Sequence, residues 1–310
     1  MAAVPKGSVE AFVRYITTTR SKATANRYHI ALRKFLGWWE KVGLPQLNQA
    51  PADVLITYST AMLNSGYKVT TIRSQLAGVT RFFHWLESKD YELPKFKNPE
   101  LPSVKRQVKD VLSQDVLQKY LHDVGGQLEE PLRTAALLLP CSGLRCGEMV
   151  SLRLACIERK DVELDDGHTK KTILLRVVGK GGHERTVPLL DEGAQALIMY
   201  LKGWRRVHPN TKWLFPGRSG FSHISTRSLR RSVQQIRTPA GFEYTPHSMR
   251  RTYLTSLYKR GVNPVTLAKI AGHSSVKVLT DHYLQLDASD LSSEVHSASG
   301  KLIRKKGTAQ

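Results

Sequence analysis

Residues 171–189 read KTILLRVVGKGGHERTVPL. The run KTILLRVV is apolar and rich in β-branched residues, GKGG supplies a turn, and ERTVPL resumes an extended pattern. That order predicts two antiparallel strands. A third strand is expected at DVEL, across the DDGH turn that ends at His168. To either side, from the first block and again from Asp191 onward, apolar residues return at helical spacing. The fold class that follows is two-domain and mainly α: a helical first domain, then an α+β domain holding a small antiparallel sheet.

Working outward, the segment 21–43, SKATANRYHIALRKFLGWWEKVG, sets Tyr28, Leu32, Phe35, Leu36 and Trp39 at helical intervals. Ser21 or Thr24 caps its start, and Gly43 with Pro45 closes it. A second helix is expected from Ala52 to Leu63. A third, over residues 69–90, carries Ile72, Leu76, Val79, Phe83 and Leu86 on one side and Arg73, Arg81 and Lys89 in more solvated directions. Trp38, Trp39 and Trp85 are expected to pack rather than stack on bases.

Residues 91–110, YELPKFKNPELPSVKRQVKD, are punctuated by Pro94, Pro99 and Pro102 and concentrate Lys95, Lys97, Lys105, Arg106 and Lys109. This combination reads as an extended basic linker. The expected division is a helical domain over 1–95, the linker over 96–110, a second domain over 111–296 and a basic tail over 297–310. In the second domain Ser113 is placed to cap a helix, and PLRTAALLLPC forms another before a turn at Ser142–Gly143.

The 310 residues carry 47 Lys plus Arg against 26 Asp plus Glu, a formal net charge of +21. Such an excess favours a polyanionic partner, because neutralising phosphates releases counterions. On charge alone anionic membrane and RNA stay open. No apolar run approaches the ~20 residues that span a bilayer, and the N-terminus lacks a secretion signal's hydrophobic centre. Cys141, Cys146 and Cys156 read as free thiols of an intracellular, cytoplasmic protein, and their spacing offers no second close pair for zinc.

Three anchors in the second domain carry chemistry. In SGLRCGEMVSL, residues 142–152, Gly143 permits a turn and Arg145 emerges beside it, a planar fork suited to two phosphate oxygens. Glu148, three residues on, orients that arginine or another basic group; taken alone the two read as a surface ion pair. In VVGKGGHERTVPL, Lys180 sits at a glycine-rich turn from which a long ammonium reaches across a cleft. An ordinary hairpin lysine fits the same residues, and the GxxxxGK[ST] pattern of a P-loop is absent. In TPHSMRRTYLTSLYKRG, Thr245 and Pro246 mark a helix start, with His247 and Arg250 three positions apart on neighbouring positions of one face. Met249, Leu254 and Leu257 root that helix, and Arg251 is expected to be exposed or to contact the backbone.

A fourth stretch, AGHSSVKVLTDHY at 271–283, sets Gly272 at a helix end, His273 beside it and Tyr283 ten positions later. His282 adjoins Tyr283 but diverges from it on a helix. A lone Tyr283 reads as a packing residue. Two arginines, a lysine, two histidines and a tyrosine together match phosphoryl transfer through a tyrosyl intermediate.

This set resembles the tyrosine site-specific DNA recombinases of the phage-integrase and Xer-like family. SGLRCGE is similar to the family's first arginine motif, GKGGHERTVPL to its sheet-lysine motif, and HSMRRTYLTSLYKRG with AGHSSVKVLTDHY to its second arginine-to-tyrosine region. The helical first block resembles the family's core-binding domain, and the second domain its α+β catalytic domain. The resemblance implies catalytic roles for Arg145, Lys180, His247, Arg250, His273 and Tyr283, with Glu148 as an accessory acid. Two features depart from the pattern. HSMRR sets Arg251 where histidine is frequent, and the His273–Tyr283 interval is one residue longer than in many Xer-like sequences. The short stretch ahead of the first block gives the expectation of no separate arm-site-binding domain.

What the resemblance implies is cutting and rejoining of duplex DNA through a 3′-phosphotyrosyl intermediate, without ATP, cofactor or metal. It implies a tetramer on two duplexes carrying specific recombination sites. The role would be integration, excision or resolution of a mobile element or replicon, a setting in which directionality factors act. Residues 288–295, with Leu291 and Val295, are expected to form a helix that docks on a neighbour. Arg73, Lys95, Arg227, Arg230 and Arg231 are the candidate DNA contacts. A type IB-like topoisomerase and an inactive sequence-specific DNA-binding protein are the competing readings.

Overall fold

The computed structural model describes residues 4–104, 111–163, 167–179, 182–208, 210–236, 244–273, 275–277 and 279. Lys180, Tyr283, His282, Lys105, Arg106, Lys109, Leu291 and Val295, with the tail at 297–310, lie outside these residues. The chain divides into two units, Met1–Gln107 and Val108–Gln310.

The first unit is built on α1 (Ser8–Thr19), α2 (Lys22–Lys41), α3 (Val54–Asn64) and α4 (Val69–Glu87). Ser21 caps α2 by accepting from the Thr24 amide, satisfying one of the donors a helix start leaves unpaired. The stripe read from the sequence lies in the core: Leu32, Phe35, Ile72 and Val79 are fully buried, and Phe82, outside that stripe, joins them. Trp39 is buried too and donates its indole N–H to the Pro45 carbonyl at 2.8 Å. Each such side chain contributes about 1.5–3 kcal/mol by leaving water. Gly78 lets α2 and α4 close on each other, since a Cβ there would meet Ala31 at 3.1 Å and Tyr28 at 3.2 Å.

Helix α1 was passed over in the sequence, although Val9, Phe12, Val13 and Ile16 recur at helical spacing and pack on the core. It ends in three threonines, whose branched side chains weaken a helix prediction. The fold accommodates them by back-bonding: Thr17 donates to the Val13 carbonyl at 2.7 Å and Thr19 to that of Tyr15 at 2.8 Å. Residues 91–104 adopt no regular structure. They nonetheless pack on the first unit through Tyr91, Leu93, Phe96 and Leu101.

In the second unit α5 (Gln114–Gln127) and α6 (Leu132–Ser142) precede the short α7 (Cys146–Val150). The sheet follows in the order β1 (Ile157–Glu163), β2 (Thr169–Val178), β3 (Glu184–Pro188), antiparallel throughout. Then come α8 (Asp191–Lys202), α9 (Thr226–Gln235), α10 (Pro246–Lys259) and α11 (Pro264–Ala271). Ser113 caps α5, and Thr245 caps α10 with Pro246 at its first position. Along β2, Ile173, Leu175 and Val177 face the core, the period-2 alternation of a sheet with one covered face.

Helix α10 departs from expectation. Its residues from Ser248 through Thr255 are all buried, because α10 packs on α6 and α11 at once. Arg251, expected to be exposed or to contact the backbone, is 8 % exposed and belongs to this interior. Among the described residues no helix is long and apolar enough to cross a membrane. All three cysteines are free thiols.

Candidate active site

The site is built around the turn between α6 and α7. Gly143 ends α6 in the left-handed region, at φ 61°, where glycine alone is unstrained. A side chain is barred twice over, since a Cβ would lie 2.4 Å from the Tyr253 ring. The turn hands the chain to Arg145, the residue before α7, whose side chain stays 43 % exposed.

Arg250 reaches this turn from α10. It is 1 % exposed, and its guanidinium donates to the Gly143 carbonyl at 2.7 Å and to the Ala271 carbonyl. Its Nη2 also lies 3.2 Å from His273 Nε2. Gly272, at φ 63°, terminates α11 and turns the chain so that His273 meets Arg250. The first and third anchors and the stretch that begins at Ala271, remote in sequence, thus converge on one guanidinium.

Glu148 is not the surface partner that its spacing from Arg145 suggested. It is 9 % exposed and accepts four hydrogen bonds. Arg145 donates its amide at 2.8 Å and its Nη1 at 2.9 Å. Arg185 donates Nη1 to Oε1 at 2.9 Å and Nη2 to Oε2 at 2.8 Å. Burial alone would raise the carboxyl's pKa; the Arg185 hydrogen bonds, the Arg145 amide and both positive charges outweigh it and hold the group below its usual value. Such charge-assisted bidentate contacts are the strong ones.

Arg185 is the residue that the sequence reading passed over. It sits on β3 opposite Val177, on the face that also carries the buried Val187. The available signal was an arginine at an inward position of an alternating strand. His247 stands exposed on the first turn of α10, three residues before Arg250.

Lys180 and Tyr283 fall outside the described residues, so their side chains have no place in this geometry. The β2–β3 hairpin that contains Lys180 is closed by the Gly179 amide donating to the His183 carbonyl at 2.8 Å. Among the described residues no three His, Cys, Asp or Glu side chains gather as metal ligands.

Of the candidate nucleic-acid contacts, Arg227, Arg230 and Arg231 line the exposed side of α9, whose Leu229, Ser232 and Val233 are buried. This helix packs on α7, and the Cys146 thiol donates to the Thr226 carbonyl at 3.5 Å. A basic helix therefore flanks Arg145. In the first unit Lys95 is exposed. Arg73 is exposed as well, but its guanidinium clips residues 101 and 102, donating to their carbonyls at 3.2 and 2.9 Å.

Residues 110–290 match the Phage integrase family, and residues 9–90 match the Phage integrase N-terminal SAM-like domain. The chain belongs to the phage integrase family. This integrase-family chain is 27% identical over 311 residues to the tyrosine recombinase XerC of Xanthomonas campestris pv. campestris, covering 97% of itself and 91% of that protein. It is 25% identical over 298 residues to the tyrosine recombinase XerA of Pyrococcus horikoshii, covering 95% and 94%. Its fold is shared with the XerH site-specific recombinase bound to palindromic difH substrate, at a TM-score of 0.67 with 18% identity, covering 94% of this chain and 84% of that one. The integrase-family chain is a tyrosine-type site-specific recombinase.

Proposed function

We propose that this recombinase cuts and rejoins duplex DNA at specific sites through a 3′-phosphotyrosyl intermediate, with Tyr283 as nucleophile. The observation that carries the reading is the convergence on Arg250: its guanidinium holds the turn that presents Arg145 and lies beside His273. Two guanidiniums and an imidazole in one place suit a phosphate whose negative charge grows in the transition state.

The choice of tyrosine also has support in the fold. The second unit carries Tyr120, Tyr200, Tyr244, Tyr253, Tyr258 and Tyr283. Tyr120, Tyr200, Tyr244 and Tyr253 are buried, and burial raises the pKa of each phenol, away from nucleophilic use. Tyr258 packs against the apolar cluster formed by α10 and α11. Burial thus counts against four of these tyrosines, and the motif resemblance selects Tyr283.

In this reading the Tyr283 oxygen attacks the scissile phosphorus while the bond from phosphorus to the deoxyribose 5′ oxygen breaks. Arg145 and Arg250 bind the nonbridging oxygens. Lys180 gives a proton to the departing oxygen, His247 takes the phenol's proton, and His273 orients the phosphate. The phosphotyrosine keeps the bond energy, so a 5′ hydroxyl from a partner strand reseals the backbone without ATP or metal. Exchange between two duplexes calls for a tetramer. The basic face of α9 and the groove between α2 and α4, with Asn26, Arg27, Lys34 and Thr70 along it, would hold the flanking DNA, with residues 96–110 linking the two grips. Recombination, rather than relaxation of one duplex or DNA binding alone, is the reading that the recombinase relatives favour.

The test is to incubate the protein, in EDTA, with paired duplexes carrying the site that it selects from a randomised pool. Recombinant junctions and covalently captured DNA are expected from wild type, and neither from Tyr283→Phe. Covalent capture by the Phe variant would remove Tyr283 from the role, and dependence on an added divalent ion would overturn the metal-free mechanism.

A further inference from the structure

Arg185 holds the catalytic anchors together without itself facing solvent. Its two terminal nitrogens fork onto both oxygens of Glu148, and its Nε donates to the Ile270 carbonyl at 2.7 Å. Gly272 closes against the same group: a Cβ there would lie 3.0 Å from Nη1 and 3.1 Å from Cζ. The side chain is 11% exposed. One planar cation therefore touches the carboxylate that seats Arg145 and the helix end that presents His273. It does so from the strand that completes the Lys180 hairpin.

A second consequence is electrostatic. Glu148 alone would offset the positive charge of Arg145, its neighbour at 2.9 Å. Arg185, at 2.8 Å from the same carboxylate, supplies a compensating cation. The trio carries a net positive charge, two guanidiniums against one carboxylate, so the field of Arg145 stays available to a phosphate. Lysine is a poor substitute, because a single ammonium cannot meet two carboxylate oxygens and a carbonyl in one plane.

We propose that Arg185 is a positioning residue for strand cleavage: through Glu148 and the end of α11 it sets Arg145 and His273 and preserves the charge that Arg145 presents to the scissile phosphate. The proposal rests on the phosphotyrosyl reading above. The experiment compares wild type, Arg185→Met and Arg185→Lys on a nicked suicide duplex built on the selected site. Single-turnover cleavage, DNA affinity and thermal unfolding are read for each.

Cleavage by Arg185→Met is expected to fall on the order of 10²-fold, the scale of a misplaced catalytic group, with DNA affinity nearly unchanged. Arg185→Lys should recover only part of the rate and serves as the test variant should the Met form fail to fold. The deciding readout is a duplex whose scissile phosphate is a methylphosphonate. Having lost the charged oxygen, it relies less on Arg145, so the gap between wild type and variant should shrink. An equal gap on both duplexes would reduce Arg185 to a merely structural role, and wild-type cleavage by both variants would overturn the proposal. Absence of any covalent product with wild type would instead sink the phosphotyrosyl reading on which it stands.

Discussion

Arg250 donates to the carbonyl of Gly143 at 2.7 Å across 107 positions of sequence. This single contact ties the helix carrying one of the two arginines proposed to bind phosphate to the turn that presents the other. Arg250 is 1 % exposed, so its guanidinium acts as a rigid strut as well as a charge. Preorganisation of this kind lets donors stabilise a transition state without reorganising as charge develops.

Replacing Arg250 with lysine keeps the charge and removes the fork. Single-turnover cleavage is expected to fall on the order of 10²–10³-fold, the scale for losing one preorganised donor. DNA affinity, measured separately by titration, should change far less. A cleavage rate within a few-fold of wild type would contradict the assignment.

Gly143→Ala adds one methyl where the Tyr253 ring stands 2.4 Å away and the backbone is left-handed. Overpacking of this sort costs about 1–3 kcal/mol. The loss should appear as a lower urea midpoint, accompanied by slower cleavage because the Arg250 acceptor moves. Unchanged stability would mean that the ring yields freely.

Glu148 links stability to pH with a defined sign. Its folded carboxyl titrates below the reference 4.5, so its contribution is complete above that value and is lost as pH falls through the folded value. The stability gap between wild type and Glu148→Gln should therefore stay level from about pH 7 to about pH 5 and close upon further acidification. Urea titrations of both proteins across this range provide the check, and a gap that widened in acid would reverse the assigned shift.

The α9 arginines make a prediction about salt. Arg227, Arg230 and Arg231 are exposed on one helix beside α7. Changing any one that contacts a phosphate to glutamine should flatten the slope of log affinity against log salt by about 0.9. Slopes that match wild type for all three variants would remove this helix from the DNA interface.

Periodicity and turn residues made most elements legible in advance. The β-branched run and the glycine turn in residues 171–189 marked the hairpin, and the stripe of Ile72, Leu76, Val79, Phe83 and Leu86 marked α4, since turn chemistry and a 3.6-residue period are local properties of a chain. Helix α1 was missed although Val9, Phe12, Val13 and Ile16 carry the same period; the threonine run that ends it speaks against a helix. The motif residues were named without the fold through their resemblance to the recombinase motifs; taken singly, each also fits an ordinary structural role.

Linear order alone could not show which partners meet. That Glu148 is buried and shared by Arg145 and Arg185, that Arg251 lies inside α10's packing, and that Arg250 braces the Gly143 turn are long-range facts. They depend on α10 lying between α6 and α11 and on β3 turning Arg185 toward the core. Local sequence determined the helices, the hairpin and the identities of the chemical groups, since those follow from backbone preference and side-chain type. Only the tertiary structure decided their charge balance and mutual support, because burial and hydrogen bonding are set by whatever the fold brings within a few ångströms.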